Sequence, residues 1–450
     1  MNDYDNYMKD CFKLSPVERF IFGKRDKETL SHIDNYLSDE YLDGEKKINE
    51  KYENTTDLEL SLLISINKFS LENQLHYFLF SSYNNFILDF ENDNTNLYPK
   101  NEVYKKSREK DFNELIKSHI QRAKEGLKLK ITYPKMIIKI FLEQIKDKHQ
   151  YLSIFNFVKK HYYPYCRNEI GLCYIKNGRD IYKNLLKESI GFLDISPEEI
   201  HQLGLDLLKN SKKKTSKQSY NSREEMFDDC LKYGKFIYDE VLSKYFHYKP
   251  KTPFKIIAMN DEEERNSPLG YYKPLEKKIF INLSYFNEIS KNEIHSLIMH
   301  ECFHSFHFDF MKFHKIPKYK YYKYFNTALV EGFAFYMEIY CDNYDDNDNE
   351  MTLMRKMRLV VDTGINYYGW TYKKSFDFMK SYMPTKISDI KNEIERYICM
   401  PTQALSYMIG KLHIIKLRDK YQGDIRDFHE KILIEGLASF KTIDKIFEEK

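Results

Sequence analysis

Two long stretches limit what this chain can fold into. EKDFNELIKSHIQRAKEGLKLK (109–130) and YPKMIIKIFLEQIKDKHQYLSIFNFVKKHY (133–162) place apolar residues three and four apart. That is the period of an amphipathic helix. Only 15 glycines and 12 prolines interrupt 450 residues, which argues for long helices over a turn-rich β fold. SPEEIHQLGLDLLKN opens a further helix at residue 196, with Ser196 as N-cap, Pro197 in the first turn and Glu198 and Glu199 facing the helix dipole. Apolar residues make up 42% of the chain, with 38 tyrosines and 32 phenylalanines, enough to build a large core.

The period changes in the second half. PFKIIAMN (253–260) and KKIFINLSYF (277–286) are rich in β-formers, and ERNSPLGYYKP between them carries turn residues. A small sheet is expected there, with helices resuming near residue 291. The polar stretch NSKKKTSKQSYNS (210–222) reads as an exposed loop between helices, and its Lys212–Lys214 run as solvated. The expected organisation is a helical half, residues 1–240, covering a cleft, and a catalytic region, 241–450, in one integrated fold.

Charge and cysteines narrow the class. The 71 basic and 68 acidic residues are mixed along the chain and leave a net charge of +3, which gives no phosphate-binding surface and no nucleic-acid partner. No run of about 18 apolar residues suggests a membrane span. Seven cysteines without close pairing fit a reducing compartment, and MNDYDNYMKDCFKLSPVERF has no apolar core of a signal peptide, so a cytoplasmic location is expected.

The chemistry concentrates in IMHECFHSFHF (298–308). His300-Glu301-Cys302-Phe303-His304 is an H-E-x-x-H pattern. On a helix, residues i and i+4 share a face, so His300 and His304 can reach one zinc ion. Glu301 is turned about 100° around the helix, from where it can act as general base on a zinc-bound water. His307, at i+7, also shares the His300 face and is the alternate second ligand. Zinc hydrolases commonly use three protein ligands and leave a position for water. Glu331 supplies the third: TALVEGFAFYMEIY (327–340) is apolar apart from Glu331 and Glu338, and a buried carboxylate needs a partner. Gly332 is expected to let this segment pack closely on the histidine helix. Cys302 reads as a small apolar packing residue rather than a nucleophile.

VEGFAFYME resembles the glutamate-bearing segment of gluzincin metallopeptidases. More closely, the chain resembles the family called domain of unknown function 885, grouped with zincin peptidases. HECFHSFHF, EGFAFYME, RKMRLVVDTGINYYGW, EIERYICMPTQALSYMIG and FHEKILIEG match its blocks in order, and ITYPKMIIKIF, GLCYIKNGRDIYKNLL and PEEIHQLGLDLL extend the match into the first half. His304-Ser305-Phe306 replaces the family's Pro-Gly-His. An ungapped match puts Phe306 opposite the family's second histidine. Phe333 stands for its Trp, Asn366 for its His and Thr402 for its Gly.

The resemblance implies a mainly α, zincin-like metallopeptidase fold with a small β-sheet at the active site. It implies a zinc-dependent peptidase acting on short peptides through a metal-bound water and Glu301. In related helical peptidases an Arg-Tyr pair on a late helix supplies the oxyanion donor. Arg396-Tyr397 fits first, and Tyr407 second. Gln403 is a candidate contact to the substrate backbone, Arg358, Arg396 and Arg418 are candidate anchors for a substrate carboxylate, and Asp362 is a candidate partner of a ligand histidine. Ile279–Ser284 (IFINLS) is a candidate edge strand for an extended peptide. Alternatives are a zinc hydrolase of a non-peptide amide or ester, and a non-catalytic binding protein on the same fold.

Overall fold

The computed structural model describes residues 2–15, 19, 31–77, 102–209, 211, 219–265, 267–274, 276–318, 320, 326–341, 350–384 and 386–448. Lys212–Lys214 lies outside them. The described chain is mainly helical with one three-stranded sheet. No helix among the described residues is long and apolar enough to cross a membrane. The chain forms two compact units, Met1–Leu185 with Val361–Pro401, and Leu186–Val360 with Thr402–Lys450. Each draws on both of the expected halves, 1–240 and 241–450.

The first unit is helical. Its helices include Asp3–Leu14, Asp39–Lys51, Leu58–Glu72 and Glu102–Leu129. Asn2, Ser38 and Asp57 cap the first three by accepting from backbone N–H groups of the first turn. The stretch 133–162 is not one helix. Lys135–Ile145 buries Ile137, Ile138, Phe141 and Ile145, and the next buried side chain is Tyr151. That step of six residues falls off the three-four rhythm, so a turn must restore the phase. A 3₁₀ turn, His149–Tyr151, does so, and Leu152–Phe157 resumes the helix.

The second unit holds the sheet. Helix Pro197–Lys209 begins as its sequence suggests, with Glu199 Oε2 accepting from Ser196 N at 2.8 Å. Then follow α1 (Arg223–Phe236), β1 (Ile256–Ala258), β2 (Gly270–Lys273), β3 (Lys278–Ile281), α2 (Lys291–Phe313), α3 (Thr327–Met337), α4 (Glu350–Asn366), α5 (Ser406–Lys420) and α6 (Ile425–Leu433). The unit boundary falls within α4, after Val360. Strand order is β1-β3-β2, with β1 parallel and β2 antiparallel to β3. The strand expected at the edge is therefore the central one. Ile279 to Ile281 pairs on both sides and is buried, so it cannot accept a peptide. An edge is offered instead by β2, which lies along α2: a Cβ on Gly270 would come within 2.9 Å of Leu297, and the Tyr272 ring is 6.2 Å from that of Phe308.

Helix α2 starts in a capping box. Ser290 Oγ accepts from Glu293 N, and Glu293 Oε2 accepts from Ser290 N at 2.9 Å. Its 23 residues bury Ile298, Phe303, Phe306 and Phe310 in a core shared with α1, the sheet, α3 and α6. The glycine of α3 plays a different part from the one its sequence suggested. A Cβ on Gly332 would lie 2.5 Å from Gly410 Cα, and one on Gly410 would lie 1.9 Å from the Ala328 carbonyl oxygen. The close approach is to α5, not to α2, and leaves no room for a methyl group. Thr402, where the related family has glycine, sits at φ +73°, which strains a β-branched residue. Its hydroxyl lies 2.7 Å from that of Ser189, a hydrogen bond that offsets part of the cost.

Gly410→Ala should destabilise the protein by about 1–3 kcal/mol or more, as overpacking does. Chemical denaturation should show a lower midpoint; an unchanged one would mean that α3 and α5 can part freely.

Candidate metal centre

Helix α2 stays regular through residues 291–313, so the i, i+4 relation holds in space. The His300 and His304 rings stand edge to face, centroids 4.6 Å apart. Helix α3 brings Glu331 to both. Its Oε2 lies 3.2 Å from His300 Nε2 and 3.4 Å from His304 Nε2. A tetrahedral zinc with bonds of about 2.0–2.1 Å spaces its ligand atoms about 3.3 Å apart. The two Glu331–histidine distances match that spacing, and the donor set, two imidazole nitrogens and a carboxylate oxygen, is one zinc accepts. The residues present therefore fit a zinc ion.

Glu301 belongs to the same cluster. One of its carboxylate oxygens and a ring nitrogen of each of His300 and His304 all lie within 4.8 Å of one another. Glu301 and Glu331 thus compete for the role of third ligand. Glu331 is better placed, because a single oxygen meets both Nε2 atoms.

The outer side of His300 is also fixed. Its Nδ1 lies 2.9 Å from Glu338 Oε1, and Arg355 Nη1 lies 2.9 Å and 3.0 Å from the two oxygens of Glu338. Glu338 is fully buried and Arg355 is 4% exposed. An ionised carboxylate only accepts, so Nδ1 carries the hydrogen. This is the arrangement that orients a ligand histidine and leaves Nε2 to the ion. The sequence had offered Asp362 for the task. Asp362 instead accepts from the Tyr182 hydroxyl at 2.7 Å in the first unit. Glu338 was visible as a lone charge in an apolar helix; Arg355 carried no sequence signal.

Electrostatics follow from these contacts. Burial disfavours the charged His300, but hydrogen bonds to Glu331 and Glu338 prevail and raise its pKa to about 9. Desolvation of the mostly covered Glu331 opposes ionisation, yet the charge of His304 and the bonds to both imidazoles hold its carboxyl well below the usual range. The metal-free cluster thus holds protons where a cation would sit, and an incoming metal must displace them. Burial outweighs other influences on Cys302 and pushes its thiol well above its ordinary value. It stays a thiol, packed in the core, which does not suit a nucleophile.

His307 has a different environment. It is 1% exposed, its Nε2 is buried without a hydrogen-bond partner, and its ring stands 6.0 Å from Phe333. Burial and the neighbouring His304 push its pKa down to about 3. Phe306, opposite the family's second histidine, points into the core 4.4 Å from Phe246. With α2 undistorted, His304 is the second imidazole brought to Glu331.

The second unit brings Tyr407 to the cluster. Its ring lies 6.0 Å from His300 at 15°. The Arg358 guanidinium stands 4.8 Å from that ring and the Arg355 guanidinium 5.6 Å. Gln403 lies in the 3₁₀ turn just before α5, where its carbonyl accepts from Ser406 Oγ at 2.6 Å. Tyr397 and Arg396 belong to the first unit: Tyr397 is fully buried and donates to Glu393 Oε2 at 2.7 Å, and Arg396 pairs with the same carboxylate at 3.2 Å. Asn366, also in that unit, donates to the Tyr397 carbonyl at 2.9 Å. Arg418 pairs with Asp419 at 2.8 Å and stands 5.8 Å from the Tyr336 ring.

Fold and site together define a mainly helical protein with a histidine–glutamate cluster, fit for a metal, at the crossing of two buried helices. The chain belongs to the family of bacterial proteins of unknown function DUF885, matched over residues 205–446. No curated protein matches it. The fold is shared with the "putative lipoprotein from Colwellia psychrerythraea", at TM-score 0.75 and 18% identity over 98% of this chain and 97% of that one. It is also shared with "a putative lipoprotein of unknown function from Shewanella oneidensis", at TM-score 0.68 and 16% identity over 99% and 98%.

A cluster that fits zinc makes a sharp expectation. The purified protein should carry about one zinc per chain by elemental analysis. His300→Ala, His304→Ala and Glu331→Ala should each lose it, while His307→Ala should keep most of it. Zinc loss in His307→Ala with retention in His304→Ala would reassign the second ligand.

Proposed function

We propose that this protein is a zinc-dependent peptidase of zincin type that hydrolyses short peptides. The observation that carries the reading is the meeting of His300, His304 and Glu331 at ligand spacing, with Glu301 one residue from the first histidine. When bound, zinc would polarise the scissile carbonyl and make the attacking water more acidic.

The chain's own residues supply the rest. His300, His304 and Glu331 would hold the ion. Glu301 takes the proton from the attacking water and passes it to the leaving nitrogen. The Tyr407 hydroxyl, on the ring stacked over His300, would donate to the developing oxyanion. The edge of β2 beside α2 would align an extended peptide by strand addition, and a helix with H-E-x-x-H beside such an edge strand supports the zincin reading.

Glu301→Gln keeps the side-chain size but cannot take up the proton. Turnover of a cleaved peptide should fall about 10²–10⁴-fold with zinc content retained. Tyr407→Phe should slow turnover by about 10²–10³-fold, also with zinc retained. The assay is digestion of a peptide library by protein shown free of contaminating protease. A Glu301→Gln protein that cleaves at the wild-type rate would falsify the mechanism. Turnover of amide or ester panels with no peptide cleaved would move the substrate class, and no turnover at all with zinc bound would favour a binding role.

A further inference from the structure

Arg355 is a buried cation attached to the candidate centre through Glu338. Its Nη1 holds both oxygens of Glu338, and Glu338 accepts from His300 Nδ1. The same guanidinium stands 4.0 Å from the Phe335 ring and 5.6 Å from the Tyr407 ring. One planar group therefore touches the support of a metal ligand and approaches the ring of the oxyanion donor.

We propose that Arg355 is a positioning residue that sets the metal ligand His300 and the tyrosine Tyr407 in register with each other, an inference that rests on the peptidase reading above. Arg355 Nη1 meets both oxygens of Glu338 and so holds that carboxylate in place. With the carboxylate held, Oε1 stays on Nδ1 and the imidazole cannot swing. Packing against Phe335 and the face of Tyr407 fixes the guanidinium in turn. Lysine would keep the charge but not the planar group packed against Phe335 and Tyr407, so the two effects can be separated.

The experiment compares wild type with Arg355→Lys, Arg355→Met and Phe335→Leu. Zinc affinity is read by competition with a chromophoric chelator, site geometry by the visible absorption of the cobalt-substituted protein, and kcat and KM at saturating zinc. Arg355→Met should weaken zinc about 10–100-fold. At saturating zinc its kcat should stay lower, by up to about 10²-fold, with KM little changed, because a small misplacement of aligned groups costs rate rather than binding. Arg355→Lys should recover part of the affinity and little of the kcat. Phe335→Leu leaves the ion pair intact and should shift the cobalt spectrum and lower kcat, and it serves should both Arg355 variants fail to fold. Wild-type affinity, cobalt spectrum and kcat in the folded Arg355 variants, or in Phe335→Leu, would overturn the inference. A rise in zinc affinity in Arg355→Met with unchanged kcat would also overturn it, leaving Arg355 as charge alone. Wild-type protein that binds no zinc and cleaves nothing would instead sink the peptidase reading itself.

Discussion

Everything at the centre depends on how ionisable groups are kept inside an apolar core. His300 on α2 and Glu338 in the turn after α3 are buried, and Glu331 on α3 is mostly covered, in a region where an isolated charge would be costly. They are tolerated because each meets another: Glu331 with two imidazoles, His300 between two carboxylates, Glu338 with Arg355. A divalent ion would complete that compensation by replacing the displaced protons.

This arrangement sets the demands on the surrounding fold. For Glu331 to reach both imidazoles, α3 must lie against α2 in one register. The other side of α3 is held by contact with α5 through Gly332 and Gly410, where backbone meets backbone. The same α5 carries Tyr407 toward His300, so a packing constraint and a chemical one are met by one helix pair. Glycine serves here through the absence of a side chain, not through unusual dihedrals.

The candidate ligands were legible because helical geometry is local. Once 291–313 is read as a helix, His300 and His304 must share a face, and a lone carboxylate in an apolar helix must have a buried partner. The break at Ile145 was legible in principle as well, in the six-residue step to Tyr151, although the overall periodicity concealed it. Sheet order was not legible. KKIFINLSYF reads alike as an edge or a central strand, because short apolar runs carry no record of their neighbours.

The sequence by itself determined the helical class, the helix that presents the two imidazoles and Glu301, and the need of Glu331 for a partner. Those follow from the three-four period and from the energetic cost of burying charge, which act within one element. Only the tertiary structure decided that Glu338 and not Asp362 supports His300, that Arg355 stands behind it, that Gly332 meets α5, and that Tyr407 lies over the histidine. Each of these joins residues of different helices. Their distances are set by packing across the core, and nothing in the local spacing of either partner encodes them.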